Sequence, residues 1–529
     1  MRPTSIVWCR SKEIATRLQE KWKGVVTDRR PVPHYLDGQF FESQTTQLYD
    51  VNDPSSQTLL SRTPQATSSE IDAIISSSQN AFLPWKRTSL LGRQQIMLRF
   101  SSLLRKHQDD VASIITLEQG KTFGDARGDV LRGLQVVEAA CAAPNLMMQD
   151  HLEVARDMDT LARREPLGVT ASINPFNFPA MCPLWSIPMA LVTGNTHIIK
   201  PSERVPGASQ MIVELAEMAG LPKGVLNIAH GGHDTVNALC DDPRVRAISF
   251  VGSDQGGKHV HDRGTKNGKR VQSNLGAKNH AVLLPDADKE AALDSIAGAA
   301  FGAAGQRCMA LSVLVTVGQA RKWIPELVEK AKALTVGIGF DPEVDVGPLI
   351  SPRSKQRVLE IISSVEEEGG SILHDGREQK LSSPHHEKGN FVGPTIVRGQ
   401  AGMRCYDEEI FGPVLTVVDC ETFQEALELI NSNRYGNGAS VFTNSGSAAR
   451  QFEMECEAGQ IGINVPIPVP LPMFSWSGGK ASALGDLGFY GKSSIMFYTK
   501  LKTVTSLWRK SSVDLGRGGK VSVNMPTIS

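Results

Sequence analysis

The chain has 529 residues, 40% hydrophobic and 21% charged, and at about 150 residues per domain that length allows roughly two to four domains around a large core. Collagen, low-complexity disorder and small disulfide scaffolds are excluded by this composition. Lys plus Arg equals Asp plus Glu at 56 each, and zero net charge argues against nucleic acid as the main partner.

Residues 1–33 carry eight basic against three acidic side chains. Ile14, Leu18 and Trp22 fall on one helical face, and no long apolar run follows. That pattern predicts an organelle transit peptide rather than a secretory signal. Residues 67–149 read as helices: Ser69 precedes an amphipathic run through Trp85, and 90–106 places Leu91, Met97, Leu98, Leu103 and Leu104 among basic residues. A strand–helix alternation follows. Strands are predicted at Gly168–Ile173, Thr196–Lys200, Val225–Ala229 and Ala247–Val251, and a helix at Val205–Ala219 stops at Gly220 and Pro222. Such alternation is the mark of a parallel sheet with crossover helices. From Pro166 to Ile199 there is no charged residue, but five prolines interrupt the stretch. This predicts buried core rather than a membrane span. A second α/β stretch covers about 277–477, with strands at Ala281–Leu284, Leu311–Val317, Thr416–Asp419 and Ala439–Thr443 and a small-residue helix at 288–304. The Gly/Ser/Val-rich end, from about Ser511, is predicted to be disordered.

Eight cysteines (Cys9, Cys141, Cys182, Cys240, Cys308, Cys405, Cys420 and Cys456) are scattered, with no C-x-x-C and no zinc spacing to histidine. They read as free thiols in a reducing compartment, and no metal site is expected.

Three motifs can carry chemistry. Gly252-Ser253-Asp254-Gln255-Gly256-Gly257-Lys258-His259 follows a strand and opens a helix. It resembles a phosphate loop, but His259 stands where a Mg²⁺-holding hydroxyl belongs, so a P-loop nucleotidase is disfavoured. A glycine turn bringing a helix N-terminus to a pyrophosphate remains open. Cys308 follows Phe301-Gly-Ala-Ala-Gly305-Gln-Arg307; the small residues allow close backbone approach, and the adjoining Arg307 favours a thiolate. Asn174-Pro-Phe176-Asn177-Phe-Pro179 joins a strand to a helix; Pro179 suits a first helical turn, and Asn177 reads either as a turn residue or as an amide donor to a developing oxyanion.

In this order, with Lys200 in I-I-K-P-S-E and Glu409 in E-E-I-F-G-P, the motifs resemble the aldehyde dehydrogenase superfamily over about residues 34–508. The resemblance implies an α/β fold with a Rossmann-type NAD domain (34–150 and 165–276), an α/β catalytic domain (277–477) and a small oligomerisation element (151–164 and 478–508), with 509–529 a disordered tail. It implies that Cys308 attacks an aldehyde carbonyl, that Asn177 and the Cys308 N–H hold the oxyanion, and that NAD takes a hydride to leave a thioester. Lys200 and Glu203 would bind the adenosine ribose and Glu409 the nicotinamide ribose. Phe176, Gly252, Ser253, Gly257 and Phe411 would complete the cofactor site. The segment Lys480–Trp508 would pair across subunits in a homotetramer.

One position departs from the superfamily pattern. Asn274-Leu-Gly276-Ala277 stands where most members have Glu-Leu-Gly-Gly. An amide is no general base for thioester hydrolysis, whereas a thiol co-substrate is partly ionised near neutral pH. Val271–Asn279, Gly305–Ala310, Arg132–Glu138 and Phe489–Lys492 are similar to the superfamily's coenzyme A-acylating branch. That branch oxidises malonate and methylmalonate semialdehydes, releases CO₂ and yields acetyl- or propionyl-CoA in valine and pyrimidine breakdown in the mitochondrial matrix. The resemblance makes Arg132 and Arg307 the substrate carboxylate partners. The alternative is a hydrolytic aldehyde dehydrogenase that gives a free acid.

Overall fold

Two mostly parallel sheets with the same winding form the framework of this computed structural model, which describes residues 3–382 and 388–508. In the first, Leu226–Ile228, Thr196–Lys200, Val169–Ile173, Val245–Val251 and Arg270–Asn274 lie side by side in parallel. His34–Leu36 and Ala483–Leu484 add antiparallel edges. The chain starts at the centre, moves outward, then returns to the other side of Val169–Ile173. Ligand crevices form at such a switch point, outside the carboxyl ends of the strands. The second sheet does the same around Asn279–Leu283, with Leu311–Val317 and Val414–Cys420 on one side and Gly438–Phe442 and Gln460–Ile463 on the other.

The predicted strands and helices of both halves are found within a few residues. Strands covered on both faces bury their whole length rather than alternate, and Val169–Ile173, Thr196–Lys200 and Asn279–Leu283 are buried throughout. Helix starts moved slightly. Thr67, not Ser69, caps Ser68–Arg87 through a reciprocal box with Glu70. Helix Met181–Val192 begins two residues after Pro179 and keeps Pro183 and Pro188 inside it; all twelve of its residues are buried. The charge-free stretch is therefore protein core, and no helix among the described residues is long and apolar enough to cross a membrane.

Part of the stretch predicted as a transit peptide, residues 1–33, packs on the first core. Helix Pro3–Lys21 lays Leu18 into the first core, followed by Trp22 edge-on to His107 at 5.2 Å between ring centroids. Glu214 accepts from the Lys23 and Gly24 amides at 3.2 and 2.8 Å, and Val25, Val26 and Val32 are buried. The stripe read as a targeting face is thus a packing face as well. At the other end, 478–498 does not belong to the small sheet. Ala483–Leu484 pairs with Ser273 and Asn274, and helix Gly491–Tyr498 packs on Met181–Val192. The three-stranded sheet consists of Asp150–Ala155, Met158–Pro166 and Thr499–Leu507, paired within one chain. It leaves Leu152, Leu501 and Trp508 exposed. The predicted disordered tail, 509–529, lies outside the described residues.

Candidate active site

At the switch point of the first sheet, Val169–Ile173 and Val245–Val251 end side by side. Their following loops, Asn174–Asn177 and Gly252–Ser253, line a cleft of about 410 Å³. From the second half, Cys308, Arg357, Glu409 and Phe411 face the same cleft. Residues more than two hundred positions apart thus share one cavity. Phe176 and Phe411 meet edge-on at 5.8 Å across it.

Each motif has a local cause. Ser253 caps helix Asp254–Lys266 by accepting from the Gly256 amide at 3.3 Å, so an open helix N-terminus borders the cleft. Gly257 packs so tightly on Leu275 that a Cβ would collide with it. The Cys308 loop follows helix Lys289–Phe301 through three left-handed residues, Ala303, Ala304 and Gly305 (φ 51°, 53° and 70°). Two of these are strained alanines, as is common where a loop holds a reactive group. A Cβ on Gly305 would strike the Gly412 carbonyl, so glycine there lets the G-Q-R-C and E-I-F-G-P loops touch.

Amides hold this loop on all sides. Asn177 Nδ2 donates to the Gln306 carbonyl at 3.0 Å. The Cys308 carbonyl accepts from Asn279 Nδ2 at 2.9 Å and Asn437 Nδ2 at 3.1 Å. Gln306 Oε1 accepts from the Ile350 amide at 2.9 Å. A primary amide has two N–H donors, so Asn177 keeps one for a ligand.

Burial pushes the Cys308 thiol up to about 12, with the Glu409 carboxylate adding to the rise. Glu409 is itself pushed up to about 7 by burial, although its Oε1 accepts from the Ala277 amide at 3.0 Å. Lys200 and Glu203, 3.5 Å apart, lie beside Ser202 on the cleft margin. Burial lowers the Lys200 pKa; for Glu203, burial is outweighed by Lys200 and the value falls below the usual carboxylate range.

Two predicted residues stand apart. Arg307 Nη2 donates to Asp125 Oδ1 at 2.5 Å. Arg132 is exposed and donates to Gln135 Oε1 at 3.3 Å. Neither lines the cleft, but Asp125 and Arg132 are seven apart on helix Phe123–Ala140 and so share a face. Asn274 is buried with both amide atoms unpartnered among the described residues. It borders a separate cavity of about 80 Å³ with Ser273, Trp476 and Phe489. Sequence reasoning missed Lys121, Asp125, Arg357 and Asn437. Lys121 follows the helix-stop Gly120, a visible signal; Arg357 has none, because it reaches the cleft through the fold alone.

The aldehyde dehydrogenase family model matches residues 40–504. A human protein named methylmalonate-semialdehyde/malonate-semialdehyde dehydrogenase [acylating], mitochondrial, is 52% identical over 496 residues, covering 93% of this chain and 92% of that one. A crystal structure of methylmalonate-semialdehyde dehydrogenase from Oceanimonas doudoroffii superposes with a TM-score of 0.89 at 42% identity, covering 92% and 99% of the two chains. A Sinorhizobium meliloti chain described as the same enzyme, complexed with NAD, gives 0.90 at 37% identity and the same coverage. The chain belongs to the aldehyde dehydrogenase family.

Proposed function

We propose that this aldehyde dehydrogenase family member oxidises malonate or methylmalonate semialdehyde with NAD and passes the acyl group to coenzyme A, with loss of CO₂. The observation that carries the reading is the convergence of Cys308, Asn177 and Glu409 on one cleft, with an amide, Asn274, where a general base would stand.

The residues fit NAD. The Ser253-capped helix start suits a pyrophosphate. The buried Lys200–Glu203 pair suits ribose hydroxyls. Phe176, Phe411 and Glu409 suit the nicotinamide end. When bound, NAD supplies a hydride acceptor and a positive ring charge.

Cys308 Sγ forms a C–S bond to the aldehyde carbon while the carbonyl π electrons move onto oxygen. The free N–H of Asn177 and the Cys308 N–H hold that oxyanion, and such a donor is worth about 2.7–4 kcal/mol. Loss of hydride from the carbon restores the carbonyl as a Cys308 thioester. In the β-carboxy thioester the C–C bond electrons flow toward that carbonyl as CO₂ departs, and the enolate then takes a proton from solvent at the α carbon to give the acetyl or propionyl thioester, so no further electron sink is needed. The coenzyme A thiolate then displaces Cys308. Water is a poor rival because Asn274 has no basic group. Arg307 and Arg132, on either side of Asp125, are assigned to the substrate carboxylate, because a guanidinium fork matches carboxylate geometry. We place the enzyme in the mitochondrial matrix, acting in valine and pyrimidine breakdown as a homotetramer.

The test is product analysis with malonate semialdehyde, NAD and coenzyme A, each omitted in turn. Acetyl-CoA must need all three. Fast steady release of free acid without coenzyme A would instead identify the hydrolytic alternative.

A further inference from the structure

One buried cation has no part in the chemistry above. Lys121 sits in the short link between helix Gln108–Gln119, which stops at Gly120 (φ 93°), and helix Phe123–Ala140, which Thr122 caps. Two element ends therefore fix its backbone. Its side chain is 1% exposed. The Nζ donates to the Asn177 carbonyl at 2.5 Å, lies 3.3 Å from Asp129 Oδ2, and rests 4.2 Å above the centre of the Phe178 ring. Asp129 in turn accepts from the Met181 amide at 2.7 Å through Oδ1. One ion pair thus grips both ends of Asn177–Met181.

Burying such a pair is costly, and an apolar pair of similar volume often serves stability as well. Here the pair's contacts have a direction. The peptide it pins is that of Asn177, whose side chain bridges to the Gln306 carbonyl two residues ahead of Cys308. Lys121 contacts Asn177, and Asn177 contacts the nucleophile loop. Arg307, the cation nearest Cys308 in sequence, is engaged by Asp125 and gives no such contact.

We propose that Lys121 is the positioning residue of the oxyanion site: its ammonium, locked by Asp129, fixes the Asn177 peptide and so aims the Asn177 amide at the oxygen of the intermediate on Cys308. This rests on the assignment of Cys308 and Asn177 above. Lys121 touches neither substrate nor NAD; it acts through Asn177.

The test is the pre-steady-state NADH burst of the full-length enzyme, with Lys121→Met made in the native and in the Asn177→Ala backgrounds. In the native background the burst should slow by about a hundredfold, the order that one oxyanion donor commands, while NAD binding measured by fluorescence stays within about twofold. In the Asn177→Ala background the same change should cost less than about threefold, because the group it aims is gone. A purely structural lysine would cost the same in both backgrounds, and that result, or a native loss below about threefold, overturns the proposal. Should Lys121→Met fail to fold, Asp129→Asn tests the same coupling. It leaves an amine to donate to Asn177, so its loss should be smaller and again absent beside Asn177→Ala; equal losses count against the proposal. A burst that survives Cys308→Ala would overturn the assignment of the nucleophile instead, and so separates the two failures.

Discussion

Arg307 and Asp125 form a 2.5 Å ion pair across the boundary between the nucleophile loop and helix Phe123–Ala140, with only about a fifth to a quarter of each side chain exposed. Arg132 lies two turns further along the same helix face. A substrate carboxylate that binds Arg307 must therefore compete with Asp125. Arg307→Gln should raise KM for malonate semialdehyde at least about tenfold more than for propanal, since a charge-assisted hydrogen bond is worth about 1.5–3 kcal/mol. Asp125→Asn should act in the opposite direction and lower KM for the semialdehyde. Equal effects on both aldehydes would remove Arg307 from substrate recognition.

The thiol should be sluggish in the absence of ligands. With Cys308 raised to about 12, alkylation by iodoacetamide should climb with pH through 7 to 10 without a plateau. Because Glu409 is the main charge opposing the thiolate, Glu409→Gln should speed alkylation at a fixed pH while impairing turnover. A plateau near pH 8 in the native enzyme would contradict this account.

Glu409 carries a sign of its own. Its folded value of about 7 lies above the usual carboxylate value of 4.5, so the folded protein holds an extra proton between these limits. This group's contribution to stability should be level below about pH 4.5, fall as pH rises toward 7, and level off above it. Glu409→Gln should flatten that portion of the stability–pH curve. Denaturant melts at pH 5 and pH 8 check the difference.

Asn274 lines a small cavity beside Trp476 and is not among the residues lining the Cys308 cleft. A carboxylate placed in that cavity by Asn274→Glu would not serve the thioester. The variant should remain dependent on coenzyme A and lose stability through the buried charge. Rapid free-acid release by this variant would show that the side chain reaches the cleft.

Trp22 separates a leader from a structural helix. It is 3% exposed in the first core, so Trp22→Ala should cost about 3–5 kcal/mol. An unchanged melting temperature in the full-length protein would argue that residues near Trp22 are dispensable.

Much of the framework was legible in the sequence because strands buried on both faces read as near-continuous apolar runs rich in Val, Leu and Ile, bounded by Gly, Pro and Asn. Leu311–Val317 is such a case, and its bounds match the expectation. The identity of the nucleophile was legible for a related reason. Only small residues before Cys308 allow its loop to approach Gly412, so the G-x-x-G-Q-R-C spelling records a packing constraint. The N-terminal stripe of Ile14, Leu18 and Trp22 spells an amphipathic helix whether it serves targeting or packing. Periodicity states which face is apolar, not what it meets.

By itself the sequence determined two α/β halves, a cysteine in a small-residue loop preceded by an asparagine motif, and an amide at position 274. These are properties of local spelling. Only the tertiary structure decided which charges are free to act. It engages Arg307 with Asp125, encloses Lys121 with Asp129 against the Asn177 carbonyl, and brings Arg357 to the cleft. The strength and direction of a charge depend on burial and on partners far off in the chain, and neither is written in the residue's neighbours.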